Sequence, residues 1–193
     1  MQLTALPAQA SWRHRGPQSG YEVLFPTALP SGIHLRGITT AVESGSAWSV
    51  AYQIEADRHG QTRQVEASNS TMSGERRVSI HRSAAGHWEV DGHPRPDLDG
   101  CVDVDFESSS ATNTLPVHRI PFAPGERVQV PAAFVRAEDL RVERVEQEYT
   151  LTSAPDAPLA FHYESSTFDV ACRLTFDTAG LLLLYPGLAL RDH

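Results

Sequence analysis

The sequence predicts an all-β protein, mainly antiparallel, in which a single sheet of about eleven strands curls strongly into a half-barrel. One observation is strict alternation: residues 48–56 and 168–176 carry an apolar side chain at every second position, as strands with one buried face do. Another is the regular spacing of turn-forming sequences such as Ser73-Gly74 and Ala85-Gly86, which suits an antiparallel meander. No stretch has the periodicity of an amphipathic helix longer than about two turns, so only short helical turns are expected.

Each predicted strand is a short run of alternating residues bounded by turn formers. The runs shorter or less regular than the first two are residues 21–25, 32–43, 64–67, 77–82, 87–90, 127–135 and 159–163. The alternation changes phase at Gly37, which predicts a bulge there. It changes again near Arg144, so the long strand predicted over residues 140–151 is expected to bend.

Length and composition are those of one domain over residues 1–193, with an irregular N-terminal segment over residues 1–11. The net charge of −8 argues against general nucleic-acid binding, which needs a basic face. Cys101 and Cys172 are too few for a disulfide framework and lack the spacing of metal ligands. Because neither a secretory signal nor an apolar run of about 20 residues is present, we expect a cytoplasmic protein with no integral membrane segment, metal or cofactor.

Residues 100–121 concentrate the polar chemistry of the chain. Strand alternation places Asp103 and Asp105 on one face, roughly 7 Å apart, where their repulsion is about 2.4 kcal/mol at an effective dielectric of 20. That face must therefore be wet or lie near a cation. The Ser/Thr/Asn run 108–114 can cap a short helical turn, and this turn would fold Arg119 back over both carboxylates. We call residues 103–119 the polar elbow.

Several roles for the carboxylate pair remain open. The two groups could form an ion pair with Arg119 that fixes the polar elbow, or accept hydrogen bonds from sugar hydroxyls. They could also bind a divalent cation, although two ligands are too few on their own. An enzyme would be a hydrolase that uses Asp103, Asp105 and His118, but the sequence has no G-x-S-x-G nucleophile motif. A structural module with a filled core and no ligand is the third alternative.

Several short motifs are spread along most of the chain. They include G-C-V-D-V-D-F from Gly100, T-N-T-L-P-V-H-R-I from Thr112, Y-E-S-S-T-F from Tyr163 and G-L-L-L-L-Y-P-G-L from Gly180. Together they resemble a bacterial family named for glycolipid binding, although His118 departs from its pattern, which has arginine there. The resemblance implies a fold like that of lipoprotein-localisation factors, in which one sheet curls around a lipid-sized hollow that short helices close. Residues 115–120 would be part of this plug.

We therefore interpret the protein as a binding protein for an amphipathic small molecule, a lipid or glycolipid, with no catalytic residues assigned. The groove would hold the acyl part against Trp48, Tyr52 and the face formed by residues 168–176, and the polar elbow would meet the headgroup. Tyrosine rings can also stack on sugar rings. The expected ligand-binding residues are Asp103, Asp105, Asn113, His118, Arg119, Trp48, Tyr52, Tyr149, Tyr163, Phe168 and Tyr185.

Overall fold

A computed structural model of the chain describes residues 3–154 and 157–192. As predicted, the protein is all-β and mostly antiparallel in these ranges. The strands are β1 (Ala10–His14), β2 (Gln18–Leu29), β3 (Gly32–Glu43), β4 (Ser46–Asp57), β5 (Thr62–Thr71), β6 (Gly74–Arg82), β7 (Trp88–Val90), β8 (His93–Pro94), β9 (Asp103–Phe106), β10 (Arg127–Gln129), β11 (Ala132–Val135), β12 (Val142–Val145), β13 (Gln147–Leu151), β14 (Ala160–Ser165), β15 (Val170–Phe176), β16 (Leu182–Tyr185) and β17 (Ala189–Arg191). The helices are α1 (Thr114–Arg119) and two 3-10 helices, Pro96–Leu98 and Ala111–Asn113.

The strands form two sheets instead of the predicted single sheet of about eleven. Fourteen strands lie in the order β10-β13-β14-β15-β16-β17-β1-β2-β3-β4-β5-β6-β7-β8. In the described part of the chain the edge strands β10 and β8 do not pair with each other, so this sheet is not closed. A second sheet has the order β12-β11-β9, with β9 and β11 parallel. Alternation cannot tell which sheet a strand joins, and this is why the second sheet was not predicted.

The large sheet curls, because side chains from strands far apart in its order meet. Glu43 of β3 and Tyr163 of β14 line one cavity, although five strands lie between β3 and β14 in the sheet. The three-stranded sheet packs inside the curve: Phe106 of β9 stacks on Tyr52 of β4 with ring centroids 5.2 Å apart. Both rings belong to one cluster of buried apolar side chains. The second sheet therefore contributes side chains to the core inside the curve.

The long strands β2, β3 and β4 pair without any shift in register. The predicted inward face of β4 is confirmed, because Val50, Tyr52 and Ile54 are buried. The predicted bulge at Gly37 is wrong. Gly37 faces inward, and the Tyr52 ring lies so close that a Cβ at Gly37 would come 2.2 Å from Tyr52 Cζ. The apparent phase change arises because Ile38 is an apolar side chain that points outward and is 44% exposed.

The predicted strand over residues 140–151 is divided between the two sheets. β12 ends at Val145 and β13 begins at Gln147, so the chain passes from the small sheet to the large one at Glu146. The expected bend is thus a change of sheet. At the N-terminus, β1 already begins at Ala10, inside the segment expected to be irregular; residues 1–2 of that segment lie outside the described ranges.

Helix α1 packs against two turns at one end of the large sheet. His118 forms a hydrogen bond of 2.7 Å with the carbonyl oxygen of Ala179, in the turn between β15 and β16. Arg119 packs against the turn between β4 and β5, where a Cβ added to Gly60 would lie 3.1 Å from Arg119 Cβ. Within the described ranges, no helix has the length and apolar character needed to cross a membrane.

Candidate functional site

The polar elbow begins with an ion pair between Asp103 and Arg119. Arg119 Nε donates to Asp103 Oδ1 at 3.0 Å, and Arg119 Nη2 donates to Asp103 Oδ2 at 2.5 Å, which is the strong bidentate arrangement. The Asp103 side chain is 1% exposed. Burial raises the pKa of its carboxyl group, and the guanidinium counteracts that rise. The predicted ion pair is confirmed for Asp103, and it fastens α1 to β9.

Asp105 does not share this partner, contrary to the expectation for the carboxylate pair. It accepts hydrogen bonds from Thr112 Oγ1 at 2.5 Å and from the N–H of Phe106 at 2.9 Å. Burial raises the pKa of Asp105 to about 6. No basic side chain of residues 3–154 and 157–192 forms an ion pair with it. The two neighbouring carboxylates therefore lie in different surroundings, one neutralised by a cation and one without.

Asp105 lies on the wall of a cavity of about 270 Å³, which we call the end cavity. It opens where β1 joins β2 and where β3 approaches β4, at the end of the sheet away from the β2–β3 turn. The lining residues are His14, Pro17, Gln18, Glu43, Asp105, Phe106, Glu107, Ser109, Ser110, Asn113, Phe134, Arg136, Tyr163, Phe168, Val170, Tyr185 and Leu188. Asp105, Asn113, Tyr163, Phe168 and Tyr185 are the predicted site residues among them.

One side of the end cavity is apolar and aromatic. The rings of Phe134 and Phe168 lie 5.0 Å apart between centroids, and those of Tyr163 and Tyr185 lie 5.8 Å apart. β15 begins only at Val170, so Phe168 belongs to the preceding turn and not to the predicted strand. This side of the cavity can therefore hold part of an apolar group, and the polar elbow contributes Asp105, Ser109 and Asn113 to the same cavity.

Arg136 is the guanidinium on the cavity wall, and sequence reasoning did not identify it. Its Nη1 donates to Glu107 at 2.9 Å, and its Nε donates to Glu143 at 2.6 Å. The guanidinium carbon also lies 5.2 Å from each of the ring centroids of Phe134 and Phe168. Two carboxylates and two rings thus hold Arg136 in place and neutralise its charge.

A fully buried acidic residue, Glu22, lies behind the polar elbow. Its carboxylate accepts hydrogen bonds from the Tyr52 hydroxyl at 2.7 Å, from the Ser110 N–H at 2.7 Å, and from the Ser109 hydroxyl. Burial raises the pKa of Tyr52 well above its ordinary value, and the nearby Glu22 charge adds to the rise. Glu22 therefore ties the loop at Ser109 and Ser110, which lines the cavity, to the inner face of the large sheet.

Sequence reasoning missed Glu22 because the apolar residues around it indicate the wrong face. Alternation in residues 21–25 groups Tyr21, Val23 and Phe25, yet Tyr21 is 52% exposed and Phe25 is 40% exposed. Glu22 and Leu24 are the residues that point inward. One sequence feature could have identified Glu22 as buried, namely that it shares a strand face with Leu24. A lone glutamate in a strand is usually solvent-exposed, however, so this feature is a weak signal.

Three of the predicted aromatic residues lie in the core and do not line the end cavity. Tyr149 is fully buried, and its hydroxyl donates to Asn113 Oδ1 at 2.8 Å. Tyr52 is 2% exposed and bonded to Glu22. Trp48 is partly buried against the main apolar cluster. Tyr149 nevertheless orients Asn113, which does line the cavity.

His118 and Arg119 lie at the other end of the sheet. Both line an open cavity of about 740 Å³ beside the β2–β3 and β4–β5 turns. Burial lowers the pKa of His118, whose Nε2 is bonded to the Ala179 carbonyl. The hydrolase constellation of Asp103, Asp105 and His118 is therefore not assembled around one cavity. In the described ranges, no group of three or more His, Cys, Asp or Glu side chains could hold a metal ion.

Comparison with known protein families identifies the family of this chain. A family model described as "Putative glycolipid-binding" matches residues 9–191. The chain belongs to this family. The resemblance predicted from the short motifs is thus confirmed over residues 9–191 of the chain.

Two solved structures are similar to this member of the glycolipid-binding family. A DUF1089 family protein from Pseudomonas aeruginosa is 27% identical, with a TM-score of 0.77 and coverage of 99% of this chain and 96% of that chain. A β-barrel-like protein of the domain of unknown function DUF1849 from Brucella abortus is 11% identical, with a TM-score of 0.53 and coverage of 98% and 96%. The second likeness concerns the fold alone. No curated protein matches the chain.

Proposed function

We propose that the protein binds the headgroup end of a glycolipid-type amphipathic molecule in the end cavity. One observation carries the proposal: a single cavity joins the polar elbow, at Asp105 and Asn113, to an aromatic wall at Phe134 and Phe168. Ligand sites combine a largely apolar surface with a few placed polar groups in this way. Membership of the glycolipid-binding family supports the same class of ligand.

The volume of the end cavity limits how much of such a ligand enters. About 270 Å³ lies just below the range of roughly 300–1,000 Å³ typical of small-molecule pockets. Side chains of the second sheet, such as Phe106 and Val135, occupy the core inside the curve, so we place only part of the ligand inside. In this proposal the headgroup and the first carbons of the tail occupy the cavity, and the tail leaves past Val170 and Leu188. Leu188 is 36% exposed at the mouth.

In this proposal the apolar part of the ligand contacts other residues than those expected from the sequence. Trp48 and Tyr52 are not part of this contact, because Tyr52 lies in the main apolar cluster and Trp48 packs against that cluster. The aromatic contact falls instead on Phe168 and Tyr185, with Phe134 of the small sheet beside them. Asp103, His118 and Arg119 support the architecture of the polar elbow without lining the end cavity.

The test is native mass spectrometry of freshly purified protein, with organic extraction of bound molecules, on two matched variants. Val170→Trp places a large ring in the cavity wall, whereas Val42→Trp places it on the outer face, where Val42 is 48% exposed. We expect a co-purifying amphiphile on the natural protein and on Val42→Trp, and its loss from Val170→Trp. Retention of the same ligand by folded Val170→Trp would contradict binding in the end cavity.

For protein that purifies without ligand, the same pair is titrated with octyl β-glucoside and followed by ligand-observed NMR. Saturable binding to the natural protein and to Val42→Trp, but not to Val170→Trp, is expected. Equal signals from all three proteins would place the binding elsewhere on the molecule.

A further inference from the structure

Two residues that line the end cavity each have a buried hydrogen-bonding atom without a partner in the described ranges. His14 is 6% exposed and lines the cavity, and its Nε2 has no hydrogen-bond partner among the described residues. The nearest carboxylate oxygen, Oε2 of Glu22, lies 3.8 Å from this nitrogen, which is too long for a hydrogen bond. Gln18 Oε1, on the same wall, is also buried and without a partner in the described ranges. Buried polar atoms normally have a hydrogen-bond partner, so we expect a ligand group to supply the missing hydrogen bonds.

The charges on the wall have one predominant sign. Glu43, Asp105 and Glu107 line the end cavity, and among the described lining residues the guanidinium is that of Arg136. Arg136 is already engaged by Glu107 and Glu143. Among the described residues, the groups that donate hydrogen bonds to Asp105 are neutral: the Thr112 hydroxyl and the Phe106 backbone N–H. An anion that entered would meet carboxylates without a free cation to offset them.

The charged groups of this wall are mainly hydrogen-bond acceptors. Carboxylates accept and do not donate when ionised, and the oxygen of an amide side chain also accepts. The matching ligand must therefore bring donors, and vicinal hydroxyl groups do so. Glu22 adds a further negative charge directly behind Ser109 and Ser110, which strengthens the exclusion of anions.

We propose that the end cavity selects an uncharged, hydroxyl-rich headgroup, such as a neutral hexose, and rejects headgroups that carry phosphate, sulfate or carboxylate. This inference rests on the proposed function and specifies its ligand class. In this proposal the ligand hydroxyls donate hydrogen bonds to Asp105, Glu43 and Gln18. A further hydroxyl forms a hydrogen bond with Nε2 of His14. The carboxylates of the cavity wall repel anionic headgroups, and such repulsion gives specificity for an uncharged ligand.

The experiment compares two amphiphiles with the same eight-carbon tail, octyl β-glucoside and octyl sulfate, by ligand-observed NMR below their micelle concentrations. We expect the natural protein to bind the glucoside at least about tenfold more tightly. Glu43→Lys should reduce or reverse this ratio. Glu55→Lys is the matched control, because it makes the same change in net charge at an exposed position of β4 and should leave the ratio unchanged.

Each outcome decides a different point. Octyl sulfate binding as tightly as the glucoside, in a manner that Val170→Trp abolishes, overturns the headgroup inference but leaves the proposed function in place. Absence of binding by both amphiphiles overturns both. An equal response of Glu43→Lys and Glu55→Lys shows that overall charge, and not the cavity wall, sets the preference, and it also overturns the inference.

His14→Phe tests the hydrogen-bonding part separately. The phenyl ring keeps the aromatic shape but removes the unpartnered nitrogen, so affinity for octyl β-glucoside should fall several-fold while the weak affinity for octyl sulfate stays the same. Unchanged glucoside affinity in folded His14→Phe overturns hydroxyl recognition at this wall.

Discussion

The guanidinium of Arg119 makes two hydrogen bonds to the carboxylate of Asp103, at 3.0 and 2.5 Å, across sixteen residues of chain. This pair joins the last turn of α1 to the first residue of β9. It thereby closes the polar elbow and leaves Asp105, two residues further along β9, facing the end cavity. The position of the site thus depends on an ion pair that does not line it.

Arg119→Ala should therefore destabilise the protein by about 3–5 kcal/mol, because it leaves the buried carboxylate of Asp103 without its partner. The measurement is urea unfolding at neutral pH. Arg58→Ala serves as the control, since Arg58 is an exposed arginine at the same end of the sheet. Asp103→Asn added to Arg119→Ala should recover part of the loss. A change in stability no larger than that of Arg58→Ala would contradict the structural role of the pair.

Glu22→Ala should cost about 3–5 kcal/mol, because a buried hydrogen-bonded charge network loses its central acceptor. The Tyr52 hydroxyl and the Ser110 N–H would then be buried without a partner. Hydrogen exchange should quicken at residues 109–111, whose loop Glu22 holds. Glu55→Ala, at an exposed strand position, should leave both stability and exchange nearly unchanged. Normal protection of this loop in Glu22→Ala would show that other contacts hold it.

Asp105 predicts a pH dependence of stability that is opposite to that of most carboxylates. Its pKa is raised from 3.8 to about 6 in the folded protein, so the folded state binds more protons than the unfolded state between these values. The contribution of this group to stability is therefore fully present below about pH 4 and is lost as the pH rises through 6, a loss of about 2–3 kcal/mol.

Asp105→Asn should remove this part of the pH profile, because the amide does not ionise. Urea unfolding of both proteins between pH 4 and 7.5 measures the difference. As the pH rises, the free energy of unfolding of the variant should increase relative to that of the natural protein. A constant difference in the free energy of unfolding across this pH range would mean that the carboxyl group of Asp105 titrates near its ordinary pKa.

Phe168→Ala should weaken binding of octyl β-glucoside by about tenfold or more, because the side chain forms part of the aromatic wall. Its stability cost should stay below the roughly 3–5 kcal/mol of a buried phenylalanine, since Phe168 is only partly buried. Phe25→Ala is the matched control: Phe25 is 40% exposed on the outer face, and Arg36 lies over its ring as Arg136 lies over Phe168. Equal effects of the two variants on binding would exclude the aromatic wall from the site.

Part of this architecture could be predicted because it depends on residues close in sequence. The inward face of β4 followed from period-two alternation, and the return of Arg119 toward Asp103 followed from a strand, a polar run and a short turn. The roles of Glu22 and Arg136 could not be predicted, since each is defined by partners that another element brings close. Ser109, for example, lies eighty-seven residues from Glu22.

The sequence by itself determined the all-β class, the inward face of β4, and that Asp103 and Asp105 share one stretch of strand. Only the tertiary structure decided which face of β2 points inward, that a second sheet packs inside the curve of the first, and that Asp105 and Phe168 line one cavity. The physical reason is that alternation is a property of a single strand, whereas burial and pairing depend on what packs opposite it. A side chain such as Glu22 points inward because Tyr52, Ser109 and Ser110 complete its hydrogen bonds there, and none of these partners is adjacent to it in sequence.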